Sequence, residues 1–280
     1  MINTENLRAV DPLALSAARS IAHRAVQHLT GLARANLPAK PDDSHSNLGW
    51  DAGRGALVTH DIDGVRMGLV VADMVFFIGG NNGMNQELEL ANRTIDEASA
   101  WTDEHAERLD LKAASLAEIP YEFPDDVASV ESYAIKGMES QFAALAEWFG
   151  MGAAALEDVR EPLTSYQPGP SPVRCWPHHF DIATYVALEE GDPETARGIG
   201  IGMAPGDGSY NQPYIYVNPW PHLDADNLGP AVAPGHWHTD GFVGLIATGS
   251  ELVGTGDTEN ALAKFLDGSV ASALKAQGIR

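Results

Sequence analysis

Two periods of apolar residues run along this chain, and the places where one gives way to the other divide it into helices and strands. Leu15, Ala18, Ile21, Ala22, Ala25, Val26, Leu29 and Leu32 recur every three or four residues, which puts them on one side of a helix that should end before Pro38. From Gly55 to Gly79 the chain is rich in Val, Leu, Ile and Phe and is broken at Asp63-Gly64 and Ala72-Asp73. That pattern predicts a meander of two or three antiparallel strands. Glu87 to Leu90 adds one more strand. Thr94, with Glu97 three residues on, spells a capping box for a helix from Ile95 to about Leu109. The run Gly79-Gly80-Asn81-Asn82-Gly83 has no following Lys-Ser/Thr and reads as a turn rather than a phosphate cradle.

Helical spacing returns over Val130 to Arg160, interrupted at Gly150, and closes at Pro162 and the Pro-rich run 167–172. The last third is strand-like: Val173 to Leu188, Gly198 to Met203, Tyr214 to Val217 and His236 to Thr248, with a Pro-rich loop from Pro219 to Pro234. A final helix should follow Asp257-Thr258. Helix, strands and helix thus occur twice, over 1–125 and 126–280, and the similar stretches after Thr94 and Thr258 suggest a distant duplication. Antiparallel strands covered by helices predict an α+β protein, in two units or one.

Composition narrows the functions. Lys and Arg total 17 against 39 Asp and Glu, a formal net charge of -22 in 280 residues. Phosphate backbones and anionic lipid surfaces are recognised by clustered basic residues, so nucleic acid and membrane partners are not expected. A small molecule remains the partner to look for, with homo-oligomers left open. The single Cys175 excludes an internal disulfide, and the N-terminus has no basic stretch ahead of an apolar core, so a cytoplasmic protein is expected.

Chemistry concentrates near the C-terminus, where five of the ten histidines lie: His178, His179, His222, His236 and His238. Alternation along a strand puts His236, His238 and Asp240 on one face, and His179 with Asp181 on another. If the segments meet, His236 and His238 with either His179 and Asp181 or His178 alone would ligate zinc, iron or manganese and leave a position open for water. Asp181 or Asp240 would then orient a ligand or act as base. Tyr214, Tyr216 and Asn218 share a strand face and, with Trp176 and Trp220, would line the substrate pocket. That predicts a metal-dependent hydrolase or oxygenase. Alternatively the same histidines and aspartates satisfy one another in a buried network of a non-catalytic binding or interaction protein. His23, His28, His45, His60 and His105 read as residues of helix surfaces or loops.

The segments Trp176-Pro-His-His-Phe-Asp181, Ala204-Pro-Gly-Asp207, Pro213-Tyr-Ile-Tyr-Val-Asn-Pro-Trp220 and Gly235-His-Trp-His-Thr-Asp240 resemble those of a bacterial family classified only as a domain of unknown function. The resemblance covers roughly 170 to 250. It implies a similar α+β fold and carries no activity.

Overall fold

The first helical repeat forms a long helix that is enclosed on nearly every side. In the computed structural model, which describes residues 5–80, 85–114, 119–192 and 194–279, helix α1 (Glu5–Ala9) and a 3-10 turn (Pro12–Leu15) lead into α2 (Ser16–Asn36). Asp11 caps the turn by accepting the Leu13 N–H at 3.0 Å. The apolar stripe of α2 is buried as its spacing predicts. So are Arg19, His23, Gln27, His28 and Thr30 on its other sides, because the helix is packed among a strand and three later helices. The assignment of His23 and His28 to a helix surface is therefore corrected, and His45 and His105 are buried as well.

The meander has five strands, β1 (Gly49–Asp51), β2 (Ala56–Val58), β3 (Val65–Val70), β4 (Val75–Gly80) and β5 (Asn85–Glu89), paired antiparallel in chain order. Asp63 and Gly64 both take positive φ, and the Ile62–Val65 bridge closes the two-residue turn they form. The Asn81–Gly83 part of the predicted glycine turn lies outside the described residues. Helix α3 (Ile95–Arg108) starts at its capping box. Thr94 Oγ1 accepts the Glu97 N–H at 3.2 Å and Glu97 Oε2 accepts the Thr94 N–H at 2.8 Å. Thr94→Ala is expected to lower stability by about 1 kcal/mol, read as a shift in urea midpoint at unchanged slope.

After the single turn of α4 (Asp125–Ala128), the next long helix begins later than its periodicity suggested, as α5 (Glu139–Leu163). Residues 130–138 are instead tied to the chain before α3, where the Tyr133 N–H donates to Arg93 O and Tyr133 O accepts from the Asn92 N–H. Gly150 does not break α5; a Cβ there would meet the Trp50 ring at 3.5 Å, so the glycine is a packing notch.

The second sheet comprises β6 (Gly169–Pro170), β7 (Arg174–Trp176), β8 (Asp181–Ala187), β9 (Gly198–Ala204), β10 (Tyr214–Trp220), β11 (His236–His238) and β12 (Gly244–Thr248). Its order is β11-β12-β10-β9-β8-β6, with β7 also beside β8. Helices α6 (Gly249–Gly254) and α7 (Thr258–Ala276) complete the α+β fold. Ile182, Val186, Ile199, Ile201, Met203, Val217 and Leu245 project to the helix side and share one apolar core with α2, α5 and α7. Reciprocal backbone bonds between Leu48 and Cys175, at 2.9 and 2.8 Å, join the two sheets at β1 and β7. Among the described residues no helix is long and apolar enough to cross a membrane.

Candidate functional site

Strand β9 opens Gly198-Ile-Gly-Ile-Gly202, so its isoleucines enter the core while the first three outward positions lack a side chain and the fourth, Ala204, carries only a methyl. The register places Gly202 between Ala183 of β8 and Tyr216 of β10, and Gly200 between Tyr185 and Asn218. A Cβ on Gly198, Gly200 or Gly202 would collide with Tyr185, Asn218 or Tyr216 respectively. The glycines thus form a flat strip across which neighbouring strands lay their polar side chains.

Tyr216 crosses this strip to donate its hydroxyl proton to Asp181 Oδ2 at 2.5 Å. Asp181 is 8% exposed, and its Oδ1 has no hydrogen-bond partner. Burial pushes its carboxyl above the usual range, against the hydrogen bond from Tyr216 and the nearby His179, which pull it down. Burial and the same carboxylate push the Tyr216 phenol well up. A buried carboxylate with one unpartnered oxygen has the chemistry to accept a proton from a donor brought to it, or to deliver one once protonated.

The turn before β8 aims this group. Trp176 O accepts from the His179 and Phe180 N–H groups at 3.1 and 2.6 Å, and Phe180 takes φ 60, a left-handed conformation that costs a bulky residue energy. Its ring holds the turn in place, buried and stacked on His23 at 5.0 Å. Pro177 O accepts from His23 Nε2 at 2.7 Å and Gln27 Nε2 at 3.0 Å, which makes Nε2 the protonated nitrogen of His23. Because 177–180 is a turn, strand alternation does not apply there: His179 is exposed, while His178 packs its ring on His179 and Tyr121. Burial lowers the His178 pKa to about 4.

A second network lies on the same sheet face at the β11 edge. Asp207 accepts the Tyr214 hydroxyl at 2.5 Å with one oxygen and the Ser209 and Tyr210 N–H groups at 2.8 and 3.1 Å with the other. This fixes loop 205–211 and aims Tyr210 at both histidines, 3.0 Å from His236 Nε2 and 2.9 Å from His238 Nδ1. His238 Nε2 donates to Asp240 O at 2.5 Å, and His236 Nδ1 faces Glu251 Oε1 at 3.2 Å. His238 Nδ1 therefore accepts from the Tyr210 hydroxyl, and His236 Nε2 lies against the same phenol oxygen. The two histidines share a face, as alternation predicted, but each ring nitrogen already has a protein partner.

The proposed convergence of His178 or His179 with His236 and His238 is corrected by the strand order. β12, β10 and β9 lie between β11 and β8, so the two groups are about 19 Å apart at ordinary strand spacing. Among the described residues no three His, Cys, Asp or Glu side chains are placed to hold one metal ion. Asp240 sits past the end of β11, is exposed, and contributes its backbone carbonyl to this network. The aromatic set is likewise divided. Trp176 is paired opposite Asp181, and Tyr214 and Tyr216 lie at the centre of the face. Asn218 lies over Gly200 with its Oδ1 buried and unpartnered. Trp220 instead lines a separate cavity of about 590 Å³ with Tyr185 and Arg197. Cys175 is buried and its thiol pushed up by burial, so it is not a nucleophile. Sequence patterns assign no role to Glu251 or the β9 glycines, although the Gly-Ile alternation of β9 is a signal for the latter, and Tyr210 falls in the turn segment 205–210 without a role of its own.

The chain matches no protein-family model, no curated protein and no solved structure.

Proposed function

We propose that this chain is a small-molecule-binding protein of enzyme type, with Asp181 as its acid–base group and the Tyr216 hydroxyl holding that carboxylate in place. One observation carries the reading: a buried carboxylate fixed by a crossing tyrosine, its second oxygen unpartnered, at one end of a polar sheet face floored with glycine. Tyr214, beside Tyr216, supplies an aromatic wall. The ligand is a small molecule that presents an N–H or O–H donor to Oδ1. The acidic composition and single buried cysteine support a cytoplasmic setting. The His236–Tyr210–His238–Glu251 network supports a narrower second reading, in which those residues only brace the edge of the sheet and take no part in chemistry.

Asp181→Asn keeps the side-chain shape and an oxygen for the Tyr216 hydroxyl while removing a buried charge. It is expected to raise stability by about 1 kcal/mol at pH 7, as loss of a buried functional group commonly does. A panel of small amines, amides and polyols should contain compounds that raise the melting temperature of the wild type and leave Asp181→Asn unmoved. Destabilisation by Asp181→Asn, with equal ligand responses in the two proteins, would assign Asp181 to structure alone.

A further inference from the structure

Where the two sheets part beyond the Leu48–Cys175 bridge, the outer surface opens into a cleft of about 550 Å³ that holds Arg54, Arg66 and Arg174. Three guanidiniums from three separate segments are a notable concentration in a chain with 17 basic residues and a net charge of -22. Arg174 is the central one. It lies across Gly49, where a Cβ would come within 2.6 Å of its Nη1. Among the described residues its guanidinium has no hydrogen-bond or ion-pair partner. Burial and the charge of Arg66 both work against its protonated form, while Glu157 favours it.

The carboxylates around the cleft are already engaged, whereas Arg66 is nearly free. Arg66 has only a long contact with Asp61, 3.9 Å, with both side chains exposed. Arg54 lies over the Phe77 ring at 4.6 Å, and Phe77 is itself laid across Gly68. Asp51 Oδ1 accepts the Gly53 and Arg54 N–H groups, and Glu157 pairs with Arg160 at 3.0 Å. An unpaired, half-buried guanidinium laid on a glycine beside a second guanidinium, with a third stacked on an aromatic ring, offers the paired N–H donors that recognise an oxyanion. We propose that this cleft is a binding site for a small molecule carrying a phosphoryl or carboxylate group, with Arg174 and Arg66 as the anion-binding pair and Arg54 on Phe77 as a side wall. The volume exceeds that of one oxyanion group and lies within the range of small-molecule sites. The site is separate from Asp181, and neither proposal depends on the other.

The test is thermal stability and calorimetric titration of the whole chain with pyrophosphate and with citrate, each against sodium chloride at equal ionic strength. Saturable stabilisation by either probe is expected, weakened at least tenfold in Arg174→Met and in Arg66→Met but unchanged in Arg8→Met, an exposed control on α1. Response to pyrophosphate alone would assign a phosphorylated ligand, and response to citrate alone a carboxylate. Arg66 is exposed, so its variant keeps the test valid even if Arg174→Met folds poorly. No response above the salt control, or equal responses in wild type and Arg66→Met, would overturn the proposal.

Discussion

Acidification from pH 7 to pH 4.5 is expected to unfold this protein through two histidines of α2. His28 is buried with its Nε2 2.8 Å from the Tyr133 hydroxyl, and burial, with the charge of Arg24, lowers its pKa to about 3. His23 is buried against Phe180 and Phe123, and burial lowers its pKa to about 4 in spite of the opposing pull of the Pro177 carbonyl and Asp126. Both folded values lie below the ordinary 6.5. Above that value both states are neutral and these groups contribute no pH dependence. Below it the unfolded chain binds two protons that the folded chain refuses, so stability falls as pH drops from 6.5 toward 4. The loss by pH 4 is on the order of 5 kcal/mol, comparable to the whole stability of many domains. Asp181, whose carboxyl is raised, acts with the opposite sign and offsets a part of it. Urea midpoints at pH 7.5, 6.5, 5.5 and 4.5 measure the effect. The double variant His28→Leu/Tyr133→Phe, which removes the proton site and its partner together, should lose about half of the slope. A midpoint independent of pH over that range would mean that α2 is not packed as described.

This acid sensitivity was not legible in the sequence, although α2 itself was. The three- and four-residue spacing from Leu15 to Leu32 identifies a helix and its apolar stripe, but it treats the remaining positions as solvent-facing. Whether His23 and His28 meet water depends on α3, α4 and α5, which are distant in sequence. Local signals proved dependable for the same reason that long-range ones were not. The Thr94–Glu97 capping box and the Asp63-Gly64 turn are complete within four residues. The shared face of His236 and His238 likewise needs only one strand. Placing His179 next to His236 required a strand order, and the insertion of β12, β10 and β9 between them depends on how β8 to β12 pair rather than on any local pattern. The Arg54–Arg66–Arg174 cleft is hidden similarly, since Arg174 is brought to the first sheet by the pairing of Leu48 with Cys175. Phe180 shows a third kind of loss: strand alternation was carried across 177–180, but α2 captures Pro177 O, and the chain turns there through a left-handed phenylalanine.

Gly202→Ala is expected to cost about 2 to 4 kcal/mol, although it adds one methyl group to a strand where alanine is normally the better residue. The cost arises because the methyl would occupy the space through which the Tyr216 ring crosses to Asp181. Either β9 moves against a core in which Ile201 and Met203 are fully buried, or Tyr216 swings away and leaves the buried carboxylate with neither oxygen partnered. A double-mutant cycle separates this from a general intolerance of β9. In a Tyr216→Ala background the space is already empty, so Gly202→Ala should be neutral or stabilise by a few tenths of a kcal/mol, by restricting the unfolded chain. Equal costs in the two backgrounds would place the clash elsewhere on the strand. The cycle also bears on ligand binding, because Gly202→Ala displaces the tyrosine without touching the carboxylate. If Tyr216 positions Asp181 for a ligand, Gly202→Ala should weaken binding as much as Tyr216→Phe does, whereas Asp181→Asn abolishes it. A variant that loses stability but binds normally would show that Asp181 keeps its position without the tyrosine.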